Sequence, residues 1–198
     1  MMWLEPVVIV TMLTLVAALT IGQLRWLRVA QRNQYLPGET TRIERLWLLR
    51  RPLGVVWWGL AIGLALLGYL AVPLGIGLGA WLVVAAPLVA ALAPWKMPVW
   101  AETKPLAWTG RLIRLAITNA VVVLAVSWVA ISLLGPAGAV VAVILQAILT
   151  DASLAVLWPL ERVLQKPFLR DAQDKLRRVE PKIVAITGSY GKTSTKGY

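Results

Sequence analysis

Five long apolar segments dominate the pattern of hydrophobic and polar positions along this chain. Each segment has about 20 residues, which is the length that an α-helix needs to cross the ~30 Å hydrocarbon core of a bilayer. The composition agrees, since 59% of the residues are hydrophobic and the mean hydropathy is +0.74. We therefore predict an integral membrane protein with five transmembrane helices, over residues 3–24, 52–72, 75–93, 115–134 and 139–158.

The positive charges follow this pattern closely. All 20 Lys and Arg residues fall in residues 25–51, in residues 94–114 or after residue 159. Five spans would bring these three stretches to the same side of the membrane, and the positive-inside rule makes that side the cytoplasm. We predict a multi-pass protein of the plasma (inner) membrane, with its N-terminus outside and its C-terminus in the cytoplasm. The net charge of +11 is then an orientation signal helped by anionic lipid, and nucleic-acid binding is not expected.

Several kinds of site are excluded by composition. The chain has no Cys and no His, so it lacks disulfides, thiolate metal sites and the most common metal ligand. Asp151 is the one acid inside a predicted span, and a carboxylate there costs about 2.5–3.5 kcal/mol on insertion scales. It could serve a proton relay or contact a lipid-linked substrate. The interpretation we favour is a packing residue, either protonated or hydrogen-bonded to Asn119 or Gln146.

Two stretches outside the spans have helical patterns. Apolar and charged residues alternate between Thr40 and Leu49, which suits a short helix on the membrane surface or, equally, a solvated linker. Residues 161–181 have mixed charge and apolar positions at helical spacing, so we predict an amphipathic linker helix on the membrane or against a cytoplasmic domain. In the second span, Gly59 and Gly63 are spaced for close approach of another helix.

The end of the chain has the pattern of a phosphate-binding loop. A short apolar run over residues 183–186 predicts a buried strand, and a glycine-rich turn follows it directly. In such loops successive backbone N–H groups surround a phosphate, a lysine reaches the terminal phosphates and a hydroxyl binds Mg²⁺. The alternative is a strand followed by an ordinary glycine turn. The predicted ATP-binding residues are Gly188, Ser189, Tyr190, Gly191, Lys192, Thr193 and Ser194, with Thr193 as the Mg²⁺ ligand.

The spacing of this loop points to a family. Gly188 and Gly191 are three residues apart, whereas the common phosphate loop has its glycines five apart. The sequence of residues 187–196, TGSYGKTSTK, resembles the short ATP loop of the Mur ligase family. Ser189 and Lys196 are most similar to the branch that adds D-alanyl-D-alanine to the UDP-muramoyl tripeptide. The closing Gly197 departs from that pattern, in which an acidic residue usually follows the lysine.

The resemblance implies a ligase in which ATP phosphorylates a carboxylate and an amine attacks the acyl phosphate. We expect an all-α polytopic membrane bundle over residues 1–160, then the linker helix, then the first strand and phosphate loop of a truncated α/β ATP-binding domain over residues 182–198. On this expectation the sequence is the N-terminal part of a longer enzyme and is inactive alone, because ATP and Mg²⁺ binding need further residues. Expected partners are membrane lipid, ATP and a UDP-linked cell-wall precursor. The alternative is a membrane transporter or scaffold with a vestigial or regulatory phosphate loop.

Overall fold

The computed structural model describes residues 4–50, 53–74, 77–93 and 105–180. These residues form seven helices. In chain order they are α1 (Leu4–Arg32), α2 (Glu39–Arg50), α3 (Leu53–Ala71), α4 (Gly77–Leu92), α5 (Gly110–Leu134), α6 (Pro136–Ile144) and α7 (Gln146–Val179).

The predicted fold class needs correction. The described part of the chain is helical and contains no strand, so the α/β component of the prediction is wrong for it. The predicted strand and phosphate loop, over residues 182–198, lie outside the described residues.

The number of membrane spans also differs from the prediction. Among the described residues, three helical segments are long and apolar enough to cross a membrane: Ile9–Arg32, Leu53–Ala71 and Gly110–Leu134. The predicted fifth span is broken, because α6 and α7 meet at an angle of 60°; counted as one bent span, they raise the total to four. α4 has 16 residues, about 24 Å of helix, and is therefore shorter than the hydrocarbon core. For the part of the chain that the structure describes, the predicted count of five spans is thus replaced by three, or up to four.

The chain divides into two compact units, Met1–Pro159 and Leu160–Tyr198. In the first unit the helices pack around a core made largely of alanine, valine and leucine. Small side chains let helix backbones approach closely, which is how packing stabilises helices in lipid. Many large apolar side chains point outward instead, among them Trp128 and Leu133 of α5, which are 73% and 77% exposed. This surface is consistent with the three candidate spans.

Two glycine contacts fix how helices of the first unit meet. A Cβ at Gly68 of α3 would lie 2.6 Å from the carbonyl oxygen of Gly79 in α4, so these helices touch through their backbones. A Cβ at Gly138 of α6 would overlap the carbonyl group of Ala130 in α5. By contrast, a Cβ at Gly59 or Gly63 would meet nothing within 4 Å, so the close approach predicted there is made elsewhere on α3.

Contacts between helix termini define two ends of the first unit. At one end, the end of α1 reaches the segment before α5, because Gln31 Nε2 donates a hydrogen bond to the carbonyl of Ala107 at 2.8 Å. Arg111 of α5 lies 4.4 Å above the ring of Tyr35 at the same end. At the other end, Gly135 between α5 and α6 lies beside Tyr69 of α3. We call the first of these the basic end, since the described Lys and Arg residues of this unit lie in or next to α2 and in the adjoining turns of α1 and α5.

The second unit contains the last part of α7, which the sequence predicted as a separate linker helix. The helix runs without a break through Pro159, where the sequence predicted an end. Residues 162–180 are all exposed, and Lys175 Nζ lies 2.7 Å from a carboxylate oxygen of Asp171, four residues earlier. The predicted amphipathic segment is therefore helical, as the continuation of α7.

Candidate functional site

Polar side chains gather inside the first unit near the basic end, where α1, α2 and the first turns of α7 meet. Burial of a polar group costs free energy unless the group is hydrogen-bonded, so the buried polar side chains of this cluster are expected to have hydrogen-bond partners. The buried polar residues of this cluster and its flanks are Arg25, Arg28, Thr40, Glu44, Asn119, Gln146, Thr150, Asp151 and Ser153.

Asp151 attaches α7 to the N-terminus of α2. Its carboxylate accepts hydrogen bonds from the backbone nitrogens of Thr40, at 3.3 Å, and Thr41, at 2.8 Å, and from the Thr41 hydroxyl at 2.6 Å. The first N–H groups of a helix have no partner within the helix, and its N-terminus attracts negative charge. Thr40 Oγ1 completes the contact by donating to the carbonyl of Ala147, at 2.9 Å. Burial of the Asp151 carboxylate is therefore compensated by α2.

Asn119 and Gln146 do not pair with Asp151, as one interpretation of the sequence proposed. Ser153 Oγ donates to Asn119 Oδ1 at 3.3 Å, which joins α7 to α5. Gln146 Nε2 donates to the carbonyl of Leu19 in α1, at 2.9 Å. The three polar candidates thus lie in one region, but each of them bonds to a different helix.

Arg25 makes a comparable contact with the C-terminal end of a helix. Its Nη1 donates to the carbonyl of Ala91 in the last turn of α4, at 2.7 Å. The last carbonyls of a helix lack partners and attract positive charge. The carboxylate of Asp151 and the guanidinium of Arg25 therefore each stabilise the terminus of a neighbouring helix.

Glu44 lies one turn further along α2 and is only 7% exposed. Burial disfavours its charged form and the nearby Asp151 repels a second negative charge, so the pKa of Glu44 rises to about 8. Its Oε1 atom has no hydrogen-bond partner. Sequence reasoning missed Glu44 and Arg25 because both stand in the basic stretch of residues 25–51, which was interpreted as an orientation signal on the cytoplasmic side. The signal that could have revealed the site is the Thr40–Thr41 pair after the Pro37–Gly38 turn, a typical helix start.

A cavity of about 10 Å³ lies within this cluster. Five elements besides α2 contribute to its wall, so it is enclosed by the bundle rather than by one helix pair. The lining residues are Gly22, Arg25, Trp26, Glu44, Trp58, Ala90, Ala91, Val143 and Gln146. A second cavity, of about 210 Å³ and apolar, is lined by Trp57, Val89, Leu92 and Ala93.

The predicted nucleotide site is not among the described residues. The candidates from Gly188 to Ser194, including the predicted Mg²⁺ ligand Thr193, all lie outside them. Within the described ranges, no group of three or more acidic side chains is placed to hold a metal ion.

Comparisons with protein-family models, with curated proteins and with solved structures give no match for this chain. The resemblance to the Mur ligases therefore depends on the motif of residues 187–196 alone.

Proposed function

We propose that this chain is the membrane-anchoring N-terminal part of an ATP-dependent Mur-type ligase, which forms an amide bond through an acyl phosphate in cell-wall precursor synthesis. The observation that carries the proposal is the motif TGSYGKTSTK at residues 187–196, placed after a helical membrane unit. Lys192 and the backbone amides of residues 188–191 would neutralise the charge that moves between phosphate oxygens, and Thr193 would bind Mg²⁺.

The arrangement of the first unit supports a cytoplasmic position for its basic end. Gln31 in the last turn of α1 donates a hydrogen bond to the carbonyl of Ala107 before α5, and Arg25, about two turns earlier in α1, donates to the carbonyl of Ala91 at the end of α4. The short helix α4 thus returns to that end even though its length does not suffice for a full span. Positive charge is retained on the cytoplasmic side of membranes, so we place the basic end in the cytoplasm of a cell with an inner membrane, where ATP is available.

A measurement on the intact enzyme in membranes tests this function. We expect phosphate release from ATP to depend on a UDP-muramoyl tripeptide and D-alanyl-D-alanine, and Lys192→Ala to lower that rate by about 100-fold or more. Lys182→Ala is the matched control, since it removes a lysine next to the motif but not in it. Unchanged hydrolysis in Lys192→Ala would refute the proposal.

A second candidate is a membrane transporter or scaffold whose phosphate loop is vestigial or regulatory. The buried carboxyls of Glu44 and Asp151 favour it, because ionisable groups inside a membrane bundle often mark a proton or solute path. Proteoliposomes distinguish the two functions. A transporter would lose flux on Glu44→Gln and keep it on Lys192→Ala, whereas a ligase would show the reverse dependence in amide formation.

A further inference from the structure

Two buried oxygen atoms of the first unit lack hydrogen-bond partners and belong to side chains that line the same small cavity. They are Oε1 of Glu44 and Oε1 of Gln146, and both residues line the cavity of about 10 Å³. A buried acceptor left without a donor costs about 1–3 kcal/mol. Two such acceptors beside one cavity indicate that a hydrogen-bond donor lies between them.

The orientation of Gln146 is fixed by its other atom. Its Nε2 donates to the carbonyl of Leu19, which is an acceptor, so the amide nitrogen must be on that side. The carbonyl oxygen of Gln146 therefore faces the cavity and can only accept. Gly22 of α1 provides the room, because a Cβ there would overlap this oxygen.

An ionised Glu44 cannot donate a hydrogen bond to the side-chain oxygen of Gln146, since a carboxylate is also only an acceptor. A protonated carboxyl has one O–H donor. A cavity of this size holds about one water molecule, which needs at least two polar partners, and it has them in these two side chains.

We propose that this cavity binds one water molecule, which links the protonated carboxyl of Glu44 to the side-chain carbonyl of Gln146. The water accepts from Glu44 and donates to Gln146, or donates to both while the proton stays on Glu44. α2 is thereby joined to α7 at a second point, one turn beyond the contact between Thr41 and Asp151.

The surrounding charges favour a water over a metal cation. Burial and, to a lesser extent, the negative charge of Asp151 in α7 raise the pKa of Glu44 to about 8, so the protonated carboxyl is favoured at neutral pH. Arg25 and Arg28 of α1 are the buried cations nearby, and Arg25 lines the cavity itself. A guanidinium in the wall repels Mg²⁺ or Na⁺. The walls from α3, α4 and α6, which are Trp58, Ala90, Ala91 and Val143, carry no titratable group.

Infrared difference spectroscopy of the whole chain in lipid tests whether the carboxyl of Glu44 is protonated. At pH 7 we expect a carboxylic-acid C=O band that shifts in D₂O and is absent from Glu44→Gln. Glu39→Gln is the matched control on the same helix, because Glu39 forms an ion pair with Arg42 at 2.9 Å; it should remove only a carboxylate band. Loss of a carboxylate band in Glu44→Gln would overturn the proposal.

Gln146→Met tests the proposed water bridge and leaves Glu44 unchanged. Removal of the acceptor should leave the Glu44 band in place and shift it to the higher frequency of a more weakly bonded acid. A high-resolution structure should show one water within 3.2 Å of both Oε1 atoms, as expected for hydrogen bonds. An unshifted band, or an empty cavity in that structure, would overturn the bridge. None of these readouts involves ATP, so they are independent of the proposed ligase activity.

Discussion

The carboxylate of Asp151 accepts hydrogen bonds from both the backbone nitrogen of Thr41, at 2.8 Å, and its hydroxyl, at 2.6 Å. These two residues are 110 positions apart in the chain. A helix usually receives such a cap from a side chain just before it. Here the cap comes from α7, so α2 starts against the bundle and carries Glu44 into the interior.

Asp151→Ala should destabilise the first unit by about 2–3 kcal/mol. The variant removes charge-assisted hydrogen bonds to α2 and leaves the amides of its first turn buried without a partner. The free energy of unfolding in mixed micelles, followed by circular dichroism, measures the loss. Asp171→Asn is the control on the same helix, because the side chain of Asp171 is 63% exposed and its ion pair with Lys175 contributes little.

Asp151→Asn removes the negative charge of this side chain and nearly preserves its shape. The amide oxygen can still accept the hydrogen bonds from Thr41, but the NH₂ group then faces the N–H of Thr40, which is also a donor, so we expect a loss of about 1–2 kcal/mol with folding retained. A double-mutant cycle with Thr41→Val should give a coupling free energy above about 0.5 kcal/mol. Additive effects would contradict a direct bond between these side chains.

The stability of the first unit should depend on pH through Glu44. Its pKa is about 8 in the folded protein and 4.5 ordinarily, so the folded state binds more protons between these values. The contribution of Glu44 to the free energy of unfolding should therefore be fully present below pH 4.5 and be lost as the pH rises through about 8, a change of a few kcal/mol, since each pKa unit corresponds to about 1.4 kcal/mol.

Unfolding of the wild type and of Glu44→Gln at pH 5 and pH 8.5 measures this dependence. The difference in stability between the two pH values should be smaller for the variant, because the amide does not titrate. Glu39→Gln should keep the wild-type dependence, since the side chain of Glu39 is partly exposed and forms an ion pair with Arg42. Equal pH dependence in wild type and Glu44→Gln would contradict the assignment.

Gly68→Ala should destabilise the contact between α3 and α4 by about 1–3 kcal/mol. The new methyl group would lie 2.6 Å from the backbone oxygen of Gly79, so the two helices would have to separate. Gly63→Ala on the same helix is the control, because its Cβ would meet nothing within 4 Å. It should be neutral or stabilise the helix by up to about 1 kcal/mol. Equal effects of both substitutions on unfolding in micelles would show that the close approach of α3 and α4 at Gly68 does not contribute to stability.

The sequence was sufficient to predict most of the helices. Long apolar runs predicted α3 within a residue at each end and the end of α5 at Leu134, because helix length and hydrophobicity are local properties. The break between α6 and α7 was not predictable, since Ile144 and Leu145 continue the apolar run without a glycine or proline. It is associated with a contact from far along the chain, between Gln146 and Leu19.

The candidate site was predictable only in part. Asp151 and Gln146 were evident as polar residues in an apolar run, but their partners were not, since those lie in α2 and α1. Glu44 has no local signal that sets it apart from the other charged residues of its stretch. Only the packing of α2 shows that its side chain is buried.

The two ends of the first unit should face opposite sides of the membrane, with the basic end in the cytoplasm. The chain has no Cys, so single substitutions provide unique labelling sites. Leu36→Cys lies between α1 and α2 at the basic end and Leu74→Cys lies between α3 and α4 at the other; both leucines are exposed. Because positive charge stays on the cytoplasmic side, an impermeant maleimide should label Leu74→Cys in intact spheroplasts and Leu36→Cys only after permeabilisation. Labelling of both from one side would contradict the placement of the two ends, and the reverse pattern would contradict the cytoplasmic position of the basic end.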